Sequence, residues 1–256
     1  MSMEEASRSR GEKQQIQEGA DYCAVSWTGG KDCNLALLSA WRDPSLHVVA
    51  LVVFRPEDAQ FRAHPLKVME AQATSLGLPL LHVVIPRDAS SYKEEYVKGL
   101  RMLRDEHGIS VIATGDMDLV GSMERNWIDE CAEAAGGMRA FLPLWKADRR
   151  QCLERLIAER FRVVFSCVKS PWFHSGWVGR VMDSEALRAL QTMQKEKHKF
   201  DSGEAEKTSL DLGGERGEYH TMCVDGPLYA HPVEIQHREP PLELVSQPGQ
   251  REGEQW

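Results

Sequence analysis

The sequence predicts an α/β protein, a doubly wound and mostly parallel sheet followed by a smaller C-terminal α+β domain. Three observations carry this prediction. Short apolar, β-branched runs alternate along the chain with segments whose apolar residues recur at helical spacing. The run from His47 to Phe54 is almost wholly apolar, as a strand covered on both faces of a parallel sheet must be. Finally, Tyr22 to Leu38 reads as a strand, a glycine turn and a helix start, the unit from which such sheets are built.

Taken in order, Tyr22 to Val25 is the first strand, and the helix after the turn runs to about Trp41, stopped by Asp43-Pro44. His47 to Phe54 is the second strand, closed by a turn at Arg55-Pro56-Glu57-Asp58. Leu66, Met69, Ala73 and Leu76 mark a helix that Gly77 and Pro79 end. Leu80 to Ile85 is a strand, and Ser91 with Glu94 forms a capping box for a helix ending at Gly108. Ile109 to Ala113 is the next strand. Val120, Met123, Trp127, Cys131 and Ala134 form a helical stripe closed by Gly136-Gly137.

Ala140 to Leu144 and Arg162 to Val168 read as strands. The helix between them is capped by Asp148 and turns Cys152, Leu153, Leu156 and Ile157 inward. Pro171 to Trp177 is aromatic and broken, either a substrate wall or a packed loop. Gln194 to Asp211 is charged and poor in apolar residues, so it is expected to be mobile. Met222 to Val224 and Val233 to Ile235 read as strands of a small closing layer. The expected layout is a disordered tail over 1–19, a ligand-binding domain over 20–142, a substrate domain over 143–237 and a second disordered tail over 238–256.

Composition bounds the class. With 42% hydrophobic and 27% charged residues, the chain has the balance of an ordinary soluble globular protein. No apolar run approaches the roughly 20 residues that cross a bilayer. The polar N-terminal stretch carries Glu4, Glu5, Glu12 and Glu18 and no apolar signal core, so a cytoplasmic location is expected. Cys23, Cys33, Cys131, Cys152, Cys167 and Cys223 are scattered without a C-x-x-C pair, which suggests neither a disulfide framework nor a zinc site. A formal charge of -8 weighs against nucleic acid as partner.

The chemistry is expected at Thr28-Gly29-Gly30-Lys31-Asp32-Cys33. Adjacent glycines let backbone approach a ligand, a helix start presents free N–H groups, and Lys31 adds a positive charge. A phosphate is the simplest guest. The loop is not a Walker A motif, because Val25 and Asp32 stand where that motif needs Gly and Ser or Thr. In a doubly wound sheet the ligand lies at the carboxyl ends of strands where strand order reverses. Both this loop and Thr114-Gly115-Asp116-Met117-Asp118 leave such ends.

The loop is similar to the Ser-Gly-Gly-Lys-Asp-Ser pyrophosphate loop of the N-type ATP pyrophosphatases, and specifically to that of the diphthine–ammonia ligase family and its bacterial relatives. Thr28 and Cys33 depart from that pattern; threonine keeps the hydroxyl, whereas cysteine is a weak donor. A second block, Gly214-Glu215-Arg216-Gly217-Glu218-Tyr219-His220-Thr221 with Asp225-Gly226-Pro227-Leu228-Tyr229, resembles the family's C-terminal signature. Gly115-Asp116 and Pro143-Leu144-Trp145 also match.

The resemblance implies a HUP-like fold of the adenine nucleotide α-hydrolase type, with ATP and Mg2+ bound in a PP-loop domain. It implies a ligase that adenylates the carboxylate of diphthine on elongation factor 2 and transfers ammonia to it, releasing AMP and pyrophosphate. ATP contacts are then expected from Thr28, Gly29, Gly30, Lys31, Asp32, Cys33, Gly115 and Asp116, and catalytic roles from Lys31, Glu215 and Glu218. Asp32 and Asp116 are open between holding magnesium and holding the loop. Glu215 and Glu218 are open between managing ammonium as acids and bases and capping a glycine-rich turn. Adenylation of a small metabolite or tRNA base, or ATP binding without turnover, are the alternatives, and a homodimer is left open. His220 and the run Met117 to Trp127 look more like the bacterial relatives, so the nucleotide half of this expectation rests on more residues than the acceptor half.

Overall fold

The computed structural model of the chain describes residues 11–57, 63–118, 125–195, 197–198 and 208–236. Its first strand, β1 (Asp21–Ser26), is followed by β2 (Leu46–Pro56), β3 (Leu80–Ile85), β4 (Val111–Ala113) and β5 (Arg139–Phe141). These five pair in parallel in the order β3-β2-β1-β4-β5. The chain thus builds outward from β1 in one direction, then crosses to its other side. The reversal lies between β1 and β4, the two strands whose outgoing loops carry the expected ligand residues.

Helices cover both faces. On one, α1 (Lys31–Arg42) and α2 (Leu66–Leu76) pack Leu35, Leu38, Met69 and Ala73 against Cys23, Val25, Leu51 and Val53 of the strands. On the other, α3 (Tyr92–His107) and α4 (Trp127–Ala135) pack Leu100, Leu103, Cys131 and Ala132 against Ala24, Ala50, Val52 and Ile112. Each such buried leucine contributes roughly 1.5–3 kcal/mol relative to exposure. A register shift between Cys23 and Ala24 leaves Val49 as an extra residue in β2, and so keeps the alternation of both strands aimed at the correct faces.

The remaining elements are α5 (Arg149–Ala158), β6 (Arg162–Val168), α6 (Ser184–Lys195), β7 (Lys197–His198), β8 (Thr208–Ser209) and β9 (Tyr219–Asp225). β6 and β9 form an antiparallel pair, as do β7 and β8. Phe165 and Tyr219 of the longer pair join Phe173 and Trp177 in an aromatic cluster that is continuous with the buried face of α1. Of the two readings of Pro171 to Trp177, the packed loop is the one observed, since Trp172, Phe173 and Trp177 are all buried. β9 itself runs beside the N-terminus of α1, where the Cys223 amide donates to the Gly29 carbonyl at 2.8 Å.

Several expectations need correction. Of the stretch 1–19 read as a tail, Gly11 to Gly19 is fastened to the fold: the Trp41 indole donates to the Glu12 carbonyl at 2.8 Å, Arg42 pairs with the Glu12 carboxylate, and the Gln17 amide donates to the Pro44 carbonyl at 3.1 Å. Residues 1–10 and the tail expected over 238–256 lie outside the described residues. β2 extends through Arg55 and Pro56, so the turn begins later than read. β4 and β5 are shorter than read, the latter ending at Phe141. The buried side of α4 is Ile128, Cys131, Ala132 and Ala135, with Ala134 exposed, while Val120 and Met123 lie outside the described residues. α6 covers the start of the segment read as mobile from Gln194, and Asp183 initiates it by accepting from the Ala186 amide at 2.8 Å. Val233 to Ile235 is not a strand, although the Val233 amide donates to the Val224 carbonyl at 2.7 Å.

Candidate functional site

The loop after β1 is fixed at both ends by its amides, and only the start of α1 that follows it keeps amides without carbonyl partners. Trp27 anchors it, the backbone amide donating to the Val52 carbonyl at 2.8 Å and the indole to Gln72 Oε1 at 3.1 Å. Gly29 has φ of +79°, the left-handed region, and a Cβ there would run into the Gln72 amide. Gly30 is the cap residue of α1 and has no side chain to satisfy the first-turn amides, which have no carbonyl partners within the helix. The Lys31 amide is met by Thr221 Oγ1 at 3.1 Å, across 190 residues of chain.

The loop carbonyls, by contrast, are tied down. Gln72 Nε2 donates to the carbonyls of Gly29 at 2.9 Å and Cys223 at 2.6 Å. Asn34 Nδ2 donates to the Gly30 carbonyl at 2.8 Å, and its own oxygen accepts from the Tyr229 hydroxyl at 2.9 Å. Cys33, expected to touch nucleotide, turns its thiol to the Gly30 carbonyl at 3.2 Å, and burial pushes that thiol up to about 11. Thr28 is exposed at the rim, its hydroxyl 3.8 Å from Cys33 Sγ.

A cleft of about 360 Å3 opens above the loop, lined by Thr28, Gly30, Lys31 and Asp32 on one side and by the segment Gly213 to Thr221 on the other. The two motifs that lie nearly two hundred residues apart therefore share one pocket. Lys31 is 5% exposed, with Nζ 2.6 Å from Asp32 Oδ2 and 5.4 Å from the centre of the Tyr219 ring. Burial alone would depress this ammonium, but Asp32, Tyr219 and Glu215 outweigh it and push its pKa up, so the charge is kept.

The two glutamates part company. Glu215 lines the cleft at an exposed position, and burial of its carboxyl between the cleft walls raises it to about 7; Lys31 opposes the shift and Asp32 adds to it. Glu218 is 3% exposed, with Oε1 accepting from the Asp211 amide at 2.9 Å and Oε2 from the Arg216 amide at 3.0 Å. Both of its oxygens thus hold the glycine-rich loop that presents Glu215. Arg149 braces the same loop from behind, bonded to Asp118 at 2.9 Å and 3.8 Å from Asp211.

Gly115 and Asp116 support the site from beneath rather than line it. A Cβ on Gly115 would lie 2.5 Å from the carbonyl carbon of Asp32, so only glycine lets the β4 loop approach the start of α1 this closely. Asp116 accepts from Thr114 Oγ1 at 2.8 Å and from Asn126 Nδ2 at 3.0 Å. The carboxylates of Asp32 and Asp116 therefore have separate partners. Among the described residues no group of three or more His, Cys, Asp or Glu is arranged to hold a metal ion by itself.

Sequence reasoning gave Asn34 and Tyr229, at the ends of the two motif blocks, no role of their own, and missed Gln72 and His64. The last lies just before α2 on the cleft wall, edge-on to His220 with ring centres 5.4 Å apart. Burial, with Lys31 nearby, depresses His64 to about 4; burial, then His64 and Lys31, depress His220 to about 3. Both rings are neutral at neutral pH. No local signal marks Gln72 and His64, because each acts on a distant segment.

No curated protein matches the chain. Family models do: residues 22–140 match the diphthamide synthase N-terminal domain, and residues 148–246 match the diphthamide synthase C-terminal domain. The first match contains the loop at Gly29 to Lys31 and the second contains the Glu215 loop, so each supplies one wall of the cleft. The chain belongs to the diphthamide synthase family, of PP-loop type.

Proposed function

We propose that this protein is an ATP-dependent amide ligase that adenylates a carboxylate, the diphthine side chain of elongation factor 2, and transfers ammonia to the activated acyl group. The carrying observation is the opposition, across one cleft, of a buried ammonium among helix-start amides and a carboxyl raised to about 7. The first half handles phosphate and the second handles nitrogen.

In the first step a carboxylate oxygen attacks the α-phosphorus of ATP, the bond to the β-phosphate oxygen breaks, and pyrophosphate leaves. Lys31 and the amides opening α1 hold the departing tail, so developing charge meets fixed dipoles and one cation. In the second step ammonia attacks the acyl carbon and AMP departs with its bonding electrons. The nitrogen must shed protons, and ionised Glu215 is the group in the cleft suited to take one. Glu218 is assigned a positioning role through the amides of Asp211 and Arg216. Mg2+ fits this arrangement as an ion shared with phosphate oxygens, because such sites need only one or two protein carboxylates, and Asp32, which lines the cleft, would supply one; Asp116 lies beneath the cleft with both oxygens engaged by Thr114 and Asn126. When bound it neutralises charge on the tail.

The test is product analysis with ATP, ammonium and diphthine-bearing factor. Ammonium-stimulated release of pyrophosphate is expected, and orthophosphate as product would rule out adenylation. Replacing Lys31 by Ala should abolish turnover while circular dichroism stays that of the parent. Replacing the protein acceptor with small carboxylates separates the alternative acceptors by which one sustains turnover.

A further inference from the structure

We propose that His64 is a second side-chain contact, beside Lys31, for the polyphosphate tail of the nucleotide, made through Nδ1. This rests on the reading of the cleft as the nucleotide site. The imidazole stands against the glycine loop: a Cβ built on Gly30 would lie 3.6 Å from His64 Cε1 and 3.1 Å from the Thr221 carbonyl. The ring thus packs on the loop at Gly30 and lines the same cleft as Lys31.

The ring's two nitrogens are used unequally. The ring donates one hydrogen bond to the Thr28 backbone carbonyl, whereas Nδ1 is enclosed and has no hydrogen-bond partner among the described residues. Enclosed polar atoms of this kind are rare unless a ligand or water completes them. His220, edge-on at 84°, limits how the ring can turn away.

The proton balance follows from what faces the ring. Lys31 and Thr28 come from the loop and α1, His220 and Thr221 from β9, and Glu215 from the opposite wall. In the free protein burial, reinforced by Lys31, keeps the imidazole neutral. A tail bearing several negative charges reverses the balance: the ring gains a proton from solvent, and Nδ1–H donates a charge-assisted bond to a phosphate oxygen. The proton is returned when pyrophosphate leaves.

The test is calorimetric titration of the full chain with inorganic pyrophosphate at fixed excess magnesium, in buffers of different ionisation heat. Wild-type protein should bind pyrophosphate with net proton uptake and with affinity falling as pH rises. His64→Ala should weaken binding about tenfold or more, the scale of one hydrogen bond to a charged group. His64→Asn keeps a donor near Nδ1 but cannot titrate, so it should lose less affinity and show smaller proton uptake. Melting curves of both variants verify folding. Wild-type affinity in folded His64→Ala, or undiminished proton uptake in His64→Asn, overturns the inference while leaving the cleft reading intact. Failure of the wild-type chain to bind pyrophosphate overturns both.

Discussion

Replacing Gln72 with Leu tests whether the loop is held by the network described above. Gln72 is fully buried on α2 and makes three hydrogen bonds: it accepts from the Trp27 indole at 3.1 Å and donates to the carbonyls of Gly29 at 2.9 Å and Cys223 at 2.6 Å. The amide orientation is dictated by its partners, since the indole can only donate and the carbonyls can only accept. Leucine nearly matches glutamine in shape, so little cavity forms. The Gly29 carbonyl keeps the Cys223 amide at 2.8 Å, but the indole N–H and the Cys223 carbonyl are stranded in the interior. Each of the two stranded groups costs about 1–3 kcal/mol, so a loss of about 2–6 kcal/mol is expected. Urea unfolding measures it, with an unchanged m-value marking a pure stability effect. Gln72→Glu should be no better at neutral pH, since it sets a carboxylate against two carbonyls, and should recover in acid as the carboxyl gains a proton. A Leu variant within about 0.5 kcal/mol of wild type would refute the argument, because that is the ordinary scatter of substitutions that disturb nothing.

Three further outcomes follow from the same geometry. Gly29→Ala forces a side chain into the left-handed region at φ of +79° and into the Gln72 amide, so unfolding should show a loss of at least about 1–2 kcal/mol and pyrophosphate binding should fall with it. Turnover should rise with pH through about 7, because Glu215 takes a proton only when ionised and loses that capacity as pH falls below its pKa. Glu215→Gln should remove this limb from the rate profile and slow amidation by roughly 10²–10⁴, whereas an unchanged profile would assign the base elsewhere. Glu218→Ala removes the acceptor for the Asp211 and Arg216 amides and should cost about 2–4 kcal/mol in denaturation; a loss of turnover with stability untouched would return Glu218 to the chemistry.

The elements legible from sequence are those whose causes are local. Ser91 caps α3 through the Glu94 amide, Asp148 caps α5 through the Gln151 amide, and Gly77 and Gly108 end their helices in the left-handed conformation, all as the residue types require. The errors also have local causes. α6 has a strong apolar face in Ala186, Leu187 and Leu190, but it leads directly into a charged stretch that masks its end. Of the stripe expected on α4, Cys131 is buried and Trp127 packs partly buried against the core, but Ala134 is exposed and Ile128, Ala132 and Ala135 complete the buried side, because the smaller residues share the face that meets the sheet.

By itself the amino-acid sequence determined the strand, glycine turn and helix start around Gly29 to Lys31, and the second glycine-rich block around Glu215. These are set by backbone permissiveness and apolar period, which act over a few residues. Only the tertiary structure decided that the two blocks face one another, that Glu215 lines the cleft while Glu218 holds the loop, and that Gln72 and His64 belong to the site. The reason is distance along the chain: Gln72 reaches Gly29 across 43 residues and Cys223 across 151, and no local pattern encodes which carbonyl a buried amide will find.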